Sequence, residues 1–515
     1  MGVGVWSFIW RPLCVGSFLL LLAGLFKTQI FQGLYYRNLA DNNRVAKIPI
    51  HAPRGIIYDR NGVALVSNLP SYRLKTCALD GKCSVDLISK NQAIEIQARG
   101  LGEGQTLELD STRSYPYGAA TAHLVGYVSE IKDGEMVGRS GLEKEYESIL
   151  RGKDGEEMVE VDVIGNKIRV LATVPPISGG DVNTSIDISI QKIAFEQIKK
   201  KVGSVVVSDP TTGQMIALVS SPSFDPNVFT DLSLPKDYRS TKINDIFSDP
   251  SKPLFNRAIS GTYPPGSTFK IVTASAGLES GKITENTTID DPGILIIGEY
   301  KFPNWKYLKD GGTQGVLNVV SALKVSNDIF FYRAGEWTGL DNLSVWAKKF
   351  GLGHTLGVDL PGEATGNFPA IVPFLGNLYH LAIGQGDLLV TPLQVNSWTG
   401  VVGNGGKLCR PHFFGKTDCK DLGISKKTLD LVKQGLIAAC SPGGTAWPLF
   451  GMDVACKTGT AEFGDPNNRT HAWLTAFAPV QKPTIVVTAL VEAGGEGSDI
   501  AAPIVKRILE KWFEN

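Results

Sequence analysis

The sequence predicts a multi-domain α+β protein with an N-terminal transmembrane helix, a strand-rich middle domain and a C-terminal α/β sandwich. Three observations predict this class: an uncharged apolar run near the N-terminus, strand patterns separated by turns, and helices alternating with apolar strands after residue 184. The 515 residues exceed one domain of about 150 residues. The predicted boundaries are 1–33 for the tail and anchor, 44–185 for the middle domain and 186–515 for the sandwich.

The apolar run begins after Pro12 and holds fourteen residues without a charge, LCVGSFLLLLAGLF. A helix over about 13–31 just spans a bilayer if Lys27 extends its amine toward the interface. A cleaved signal peptide is the alternative, but no small-x-small cleavage site follows, which favours an uncleaved anchor. Arg11 precedes the run and no acidic residue does, so we expect a cytoplasmic N-terminus.

The middle domain shows the signals of strands and short turns. Residues 51–68 predict a β-hairpin, because Asn61-Gly62 lies between two apolar runs and suits a tight hairpin turn. The other predicted elements are a helix over 141–150 and strands over 156–165 and 167–174, with a domain boundary in 177–187.

The remaining chain predicts a sheet with helices on both sides. A helix from Ser267 to about Glu279 is favoured by Pro264-Pro265-Gly266 before it, because proline suits a helix start. The other predicted elements are helices over 189–202, 427–440 and 501–513, two strands around a Thr212-Gly213 turn, and strands over 454–462 and 484–493.

Composition and cysteines limit the classes of partner. Lys plus Arg and Asp plus Glu both number 51, so no basic excess indicates nucleic-acid binding. Of seven cysteines, Cys14 lies in the apolar run, and the others form near pairs, Cys77/Cys83, Cys409/Cys419 and Cys440/Cys456. An extracytoplasmic body would permit disulfides, and the Asp80-Gly81 turn suits a bridged hairpin; buried free thiols are the alternative. No pair has zinc spacing with a nearby histidine.

Three short motifs follow one another in the C-terminal part: Ser267-Thr268-Phe269-Lys270, Ser326-Asn327-Asp328 and Lys457-Thr458-Gly459-Thr460. Ser267 and Lys270 are three residues apart and share a helix face. A serine hydroxyl becomes a good nucleophile when a base takes its proton, and a lysine is a base only when neutral. Burial and a second cation lower a lysine pKa, and Lys457 is the expected second cation. We therefore expect a neutral Lys270 beside a charged Lys457.

The other two motifs can supply a relay and a binding strand. Ser326 can pass a proton between amines, and Asp328 can orient Lys270 or the substrate. The hydroxyls of the third motif can bind a carboxylate, and Gly459 removes a side chain where another backbone approaches closely. Each motif alone fits an ordinary helix start, helix cap or edge strand. Together, in this order, they predict a serine acyl-transfer site.

This motif order is shared by penicillin-binding proteins and class A β-lactamases. The chain resembles the class B penicillin-binding proteins along its whole length, most closely the elongation type called penicillin-binding protein 2. The run Tyr263-Pro264-Pro265-Gly266-Ser267-Thr268 favours the elongation type over the division type. The segments that carry the resemblance are 53–62, 113–128, 138–155, 255–270, 357–363 and 382–394.

The resemblance implies a non-catalytic pedestal over 44–185, of the dimerisation type, and a transpeptidase domain over 186–515. It implies a peptidoglycan D,D-transpeptidase of cell elongation and rod shape that β-lactams acylate. The implied roles are nucleophile for Ser267, general base for Lys270, proton transfer for Ser326 and Lys457, and substrate binding for Asp328, Thr458, Gly459 and Thr460.

The resemblance also implies a location and partners. The body would lie on the periplasmic side of a bacterial inner membrane, held by one span. Its partners would be peptidoglycan stem peptides, a separate glycan polymerase of the SEDS family and scaffold proteins of the elongation complex, with no cofactor.

The chain departs from the family pattern at three points. The middle motif ends in Asp328 where asparagine is more general, and Glu462 stands where glutamine is expected. Some relatives hold zinc near the middle motif through Asp, His and Cys. Residues 291–325 contain Asp291 and Asp310 but neither His nor Cys, so we expect no metal.

Four alternatives remain open at this stage. A division-type transpeptidase or a D,D-carboxypeptidase would use the same serine chemistry. A β-lactamase would need a water-activating group, which no position suggests, and would need neither anchor nor pedestal. A non-enzymatic membrane scaffold is the fourth alternative, although all the expected catalytic side chains are present.

Overall fold

A computed structural model describes residues 4–78, 82–131, 135–162 and 167–514. The turn predicted at Asp80-Gly81 lies outside the described residues. The helices are α1 Gly4–Phe26, α2 Gly33–Arg44, α3 Lys90–Arg99, α4 Ala122–Val125, α5 Gly141–Glu145, α6 Glu147–Leu150, α7 Ile188–Ile198, α8 Lys236–Ser248, α9 Lys270–Glu279, α10 Trp305–Asp310, α11 Val319–Val325, α12 Asp328–Lys349, α13 Leu375–Ala382, α14 Pro392–Gly403, α15 Lys426–Ala439 and α16 Ala502–Glu514.

The strands are mostly short. They are β1 Val45–Ile50, β2 Ile57–Tyr58, β3 Ala64–Cys77, β4 Cys83–Ser89, β5 Gln105–Ser114, β6 Val128–Glu130, β7 Met136–Gly138, β8 Gly155–Val161, β9 Lys167–Val174, β10 Val182–Asn183, β11 Gly203–Ser208, β12 Met215–Ser221, β13 Ile289–Asp291, β14 Ile294–Ile297, β15 Tyr300–Pro303, β16 Gly315–Leu317, β17 Lys407–Cys409, β18 Cys419–Asp421, β19 Ala455–Glu462, β20 Thr470–Ala478 and β21 Ile485–Val491.

The chain forms two compact units. The first comprises Met1–Arg54, Pro70–Ser111 and Arg151–Gly179, and the second comprises Gly55–Leu69, Thr112–Leu150 and Gly180–Asn515. The stretch 44–185 therefore contributes segments to both units.

The first unit contains the apolar N-terminal helix and an antiparallel sheet in the order β1-β8-β9. The helix α1 continues as a wider turn to Phe31, and Trp10–Phe31 is long and apolar enough to cross a membrane. This confirms the predicted apolar helix. The second half of β3 pairs with β4, and a disulfide joins Cys77 to Cys83 at the end of this hairpin.

The second unit is built around a five-stranded antiparallel sheet in the order β12-β11-β21-β20-β19. Alternate residues of β20 enter different apolar cores: Trp473 and Phe477 join the core with α9, α12, α14 and α15, whereas Leu474 and Ala476 join the core with α7 and α16. Helices therefore cover both faces of the sheet, as predicted, and β19 is left as an edge strand.

The sequence prediction missed β20. All but the first of its nine residues are buried, so the strand shows no alternation between apolar and polar side chains. A short apolar run of this kind cannot be assigned from periodicity alone. Two more disulfides lie in this unit, Cys409–Cys419 and Cys440–Cys456, and the second places a bridged cysteine directly before Lys457. The bridged alternative is therefore the one found for all three pairs.

Candidate active site

Ser267 lies in a tight turn that leads into α9. Residues Gly266–Phe269 form one 3-10 turn, and the α-helix begins at Lys270. Gly266 adopts a left-handed φ of 52°, which glycine tolerates without steric cost, and its N–H donates to Gly384 O at 2.8 Å. The Ser267 side chain is half-buried. The turn therefore leaves Ser267 partly accessible, while the residues on either side of it, Gly266 and Thr268, are buried.

Gly459 allows this turn to lie directly against the edge strand β19. A Cβ at Gly459 would lie 3.1 Å from both Pro265 O and Thr268 Cγ2, and 3.0 Å from Trp473 Cβ. These distances are tighter than ordinary contacts, and one of the atoms belongs to backbone. Any larger residue would push the serine turn away from the strand.

The middle motif occupies the junction between two helices. Ser326 ends α11 in the left-handed region at φ 55° and ψ 41°, and Asn327 caps α12 by accepting from Phe330 N at 2.7 Å. A non-glycine residue in this region costs about 1–3 kcal/mol and persists only where its surroundings hold it. Ser326 is 5% exposed. The strained backbone therefore aims the hydroxyl into the interior.

Two fully buried lysine amines meet at the Ser326 hydroxyl. Lys457 Nζ donates to Ser326 Oγ at 2.8 Å and to Thr458 O at 3.1 Å. Lys270 Nζ lies 3.4 Å from the same Oγ, donates to Ser326 O at 2.9 Å, and forms an ion pair with Asp328 Oδ1 at 2.7 Å. These contacts exclude the reading of either lysine as a solvent-facing surface residue.

Burial lowers the pKa of both lysines, but their neighbours differ. For Lys270, the pKa is lowered by burial and partly restored by the charge and hydrogen bond of Asp328. For Lys457, burial lowers the pKa, the cation of Lys270 lowers it further, and Asp328 offsets this only in part, so it falls well below its ordinary value. The neutral form is thus favoured more strongly at Lys457. This differs from the expected neutral Lys270 beside a charged Lys457, because the carboxylate contacts Lys270.

Among the described residues, no hydrogen bond joins the Ser267 hydroxyl to either of the two amines. Within the described residues, the hydrogen bonds of the two amines go to Ser326, Asp328 and Thr458. Catalytic hydrogen bonds are often long before substrate binds and shorten in the complex. The structure therefore shows two amines joined through the Ser326 hydroxyl, with no preformed hydrogen bond from them to Ser267.

The third motif presents its two threonines differently. Thr458 is buried and shares a hydrogen bond of 2.7 Å with Thr445 Oγ1. Thr460 is exposed, and its Oγ1 accepts from Gly497 N at 3.4 Å. The exposed hydroxyl on an edge strand can bind an anionic group that lies alongside the strand.

Residues outside the three motifs also contribute to the site, and two of them, Asn304 and Trp305, hold Asp328. Asp328 Oδ2 accepts from Trp305 N at 3.0 Å, and Asp328 N donates to Asn304 Oδ1 at 3.2 Å. From the sequence, Asp291 was considered only together with Asp310, as an acid in a segment without His or Cys; in the structure it lies in contact with Asn304. Among the described residues, no three His, Cys, Asp or Glu side chains gather as a metal site would need.

Comparison with known families matches the two parts of the chain separately. The model of the penicillin-binding protein transpeptidase domain matches residues 203–510, and that of the penicillin-binding protein dimerisation domain matches 49–86 and 83–184. Among curated proteins, the peptidoglycan D,D-transpeptidase MrdA of Escherichia coli (strain K12) is 33% identical, over 95% of this chain and 91% of its own length.

Two solved structures are similar over nearly the whole chain. Penicillin-binding protein 2 of Helicobacter pylori, solved in complex with MreC, has a TM-score of 0.81 at 29% identity and covers 92% of this chain and 99% of its own. A chain of a peptidoglycan synthase complex, solved for the coordination of polymerization and crosslinking, has a TM-score of 0.78 at 26% identity. It covers 100% of this chain and 99% of its own.

Proposed function

Because the chain belongs to the class B penicillin-binding proteins, we propose that it is a peptidoglycan D,D-transpeptidase acting through an acyl-enzyme on Ser267. One observation carries the proposal: the Ser326 hydroxyl lies between two buried amines of lowered pKa, in a site whose half-buried nucleophile is held by the same strand and helix. Perturbed lysines in such a place are costly to maintain for structure alone and are typical of catalysis.

The first half-reaction forms the acyl-enzyme. Ser267 Oγ attacks the carbonyl carbon of the D-alanyl-D-alanine bond as its proton passes to Lys270, the general base of the proposal. Lys270 acts in its neutral form, which burial makes accessible by lowering its pKa although Asp328 opposes this. The C–N bond then breaks, and terminal D-alanine leaves with a proton returned through Ser326 and Lys457. A developing charge on the carbonyl oxygen would be stabilised by the backbone N–H groups of Ser267 and Thr460.

The second half-reaction transfers the acyl group. An amine of a second stem peptide attacks the Ser267 ester, gives up a proton to the same relay, and forms the cross-linking amide as Ser267 regains its hydrogen. Thr458 and Thr460 would hold the donor carboxylate, with Gly459 keeping the strand close to the serine turn. Asp328 would keep Lys270 in place through its ion pair.

The cellular role follows from the relatives and the anchor. We assign residues 1–33 to a cytoplasmic tail and single span, 44–185 to the pedestal and 186–515 to the transpeptidase domain, with the body on the periplasmic side. The elongation role is supported by the similarity to MrdA and penicillin-binding protein 2. A scaffold protein and a glycan polymerase are the expected partners, supported by the relatives solved with MreC and in a synthase complex.

The proposal is tested by labelling the full chain in membranes with a fluorescent penicillin. We expect a covalent adduct on Ser267 in the natural chain, none in Ser267→Ala, and full labelling in Ser280→Ala, which removes a serine near the end of the same helix. A cross-linking assay with polymerised pentapeptide glycan should then give dimeric stem peptides.

Two results would contradict the proposal. A natural chain that takes no label would favour the scaffold alternative, and Ser267→Ala labelled as well as the natural chain would place the nucleophile elsewhere. Rapid loss of the label would indicate a β-lactamase, and hydrolysed tetrapeptide without dimers would indicate a carboxypeptidase.

A further inference from the structure

We propose that Asp291 is a positioning residue for the middle motif, acting through a buried cluster of amides that holds Ser326 and Asp328 in their working geometry. The proposal rests on the function proposed above. The cluster consists of the Asp291 carboxylate and the side-chain amides of Asn304, Gln314 and Asn327, and we call it the amide cluster.

The Asp291 carboxylate is 3% exposed and accepts four N–H groups. Its Oδ1 accepts from Gly293 N at 2.8 Å. Its Oδ2 accepts from Asn304 Nδ2 at 2.7 Å, Asn327 Nδ2 at 2.9 Å and Gln314 N at 3.0 Å. A buried charge is tolerated where hydrogen bonds of this kind satisfy its oxygens. Within the described residues Asp291 has no ion-pair partner, so these donors are its compensation.

Gln314 supplies a second hydrogen-bond acceptor for the side-chain amides of Asn304 and Asn327. Its Oε1 accepts from Asn304 Nδ2 at 3.0 Å and from Asn327 Nδ2 at 2.9 Å. Each of these two amide nitrogens carries two hydrogens, one for Asp291 and one for Gln314. Both asparagines are fully buried. Every hydrogen of the two side-chain amides is therefore used, which leaves each of them one orientation.

The oxygen atoms of the same two amides hold the middle motif. Asn327 Oδ1 accepts from Phe330 N at 2.7 Å, which fixes the start of α12 directly after the strained Ser326. Asn304 Oδ1 accepts from Asp328 N at 3.2 Å, and the next residue, Trp305, donates its backbone N–H to Asp328 Oδ2 at 3.0 Å. The backbone that follows Ser326 is thus held by the amide cluster itself, and the Asp328 carboxylate is held by Trp305, the residue next to the cluster member Asn304.

A carboxylate is required at position 291 because four donors converge there. An asparagine would offer one oxygen and would turn two hydrogens toward groups that are themselves donors. The amides of Asn304 and Asn327 would lose their fixed orientation, and Ser326 could relax out of the left-handed region. The Ser326 hydroxyl and Asp328 would then shift relative to the two lysines, without any change in the lysines or in Ser267.

The test compares Asp291→Asn with Asp290→Asn in the full chain. Asp290 is the preceding residue of the same strand and is exposed. Its side chain makes no hydrogen bond or ion pair to the described residues, so Asp290→Asn matches the charge change alone. Stopped-flow acylation by a fluorescent penicillin separates the dissociation constant of the first complex from the rate constant of acylation.

We expect Asp291→Asn to lower the acylation rate constant by about 10–100-fold, because displacements of about 1 Å in catalytic groups have effects of this size. The dissociation constant should change by less than about twofold, since the carboxylate-binding strand is untouched. Asp290→Asn should match the natural chain in both quantities. A purely structural role would instead lower the melting temperature and the labelled fraction, with the rate constant of the labelled molecules unchanged, and would overturn the proposal.

A second variant covers the case in which Asp291→Asn does not fold. Gln314→Ala keeps the carboxylate but removes the second acceptor, and we expect the acylation rate constant to fall by about 3–10-fold at a measurable melting temperature. An unchanged rate constant in Gln314→Ala, together with an unfolded Asp291→Asn, would overturn the proposal. If the natural chain itself is not acylated, the proposed function fails; if it is acylated and both variants react equally well, only the role of Asp291 fails.

Discussion

Two clusters of buried charge in the second unit differ in the balance of their charges. Arg113 Nε contacts Glu143 Oε1 at 2.7 Å, with side chains 2% and 0% exposed, and Arg113 Nη1 donates to Asn68 at 2.8 Å. At the candidate site, two fully buried lysines share one carboxylate, that of Asp328.

The difference separates a structural arrangement from a catalytic one. In a buried pair of opposite charges with good geometry, the attraction between the partners offsets much of the cost of removing them from water. A site with two amines and one carboxylate cannot hold both amines protonated without a penalty, so the pKa of the lysines falls. Two buried amines that share one carboxylate therefore fit a proton-transfer site better than a structural ion pair, and the predictions below test this contrast.

The largest effect is expected from Lys457→Met, which removes the amine that lacks a contacting carboxylate. Acylation by penicillin should slow by about 10³-fold, the usual scale for loss of a proton-transfer group. The free energy of unfolding should be unchanged or higher, since an apolar side chain of similar volume replaces a buried amine. Chemical denaturation and acylation kinetics on the same preparation measure both quantities.

The direction in which stability changes with pH follows from the number of protons that the folded and unfolded chains bind. The folded-state pKa of Lys457 lies below the 10.5 of the unfolded chain, so the folded chain binds fewer protons and its stability rises with pH through that interval. Lys457→Met should flatten this rise. If Lys457→Met unfolds more easily than the natural chain at neutral pH, Lys457 is a structural cation. The candidate site would then not differ in role from the Arg113–Glu143 pair.

A stability effect without a kinetic one is expected from Glu143→Gln. Removing one partner of a buried pair leaves an uncompensated charge and costs about 3–5 kcal/mol in the free energy of unfolding. The acylation rate constant of the folded fraction should stay within about twofold of the natural value. Denaturant titration followed by labelling of the folded fraction measures both.

The double variant Arg113→Met with Glu143→Leu serves as the control for this pair. Apolar residues of similar volume remove both charges, and most of the lost stability should return. A double variant as unstable as Glu143→Gln would mean that packing rather than charge explains the loss.

The smallest effect is a displacement of the pH profile in Asp328→Asn. The base must be neutral, so the acylation rate of the natural chain should rise with pH, with a midpoint below 10.5 because both lysine pKa values are lowered. Removing the Asp328 charge removes a cause that raises both pKa values, so the midpoint should move to lower pH. Acylation rates measured across about pH 5 to pH 9 test this. A midpoint that does not move would mean that neither lysine is the titrating base.

Prediction from sequence worked best where a feature is local. The structure confirms four predictions that each follow from a pattern within a few residues: the apolar N-terminal helix, the Asn61-Gly62 hairpin, the helix after Ser267 and the strand with Lys457. The strand β20 was not predicted because its burial on both faces removes the alternation of apolar and polar side chains that marks a strand. The amide cluster was missed because its members are spread from 291 to 327 and carry no shared motif.

The order and identity of the three motifs, read from the chain alone, were sufficient to predict serine acyl transfer, because the motifs supply the hydroxyl, the amines and the binding strand that this chemistry needs. Only the tertiary structure decided which amine contacts the carboxylate. A lysine pKa depends on burial and on contacts of a few ångströms, and these arise when residues 270, 328 and 457 meet in the folded core.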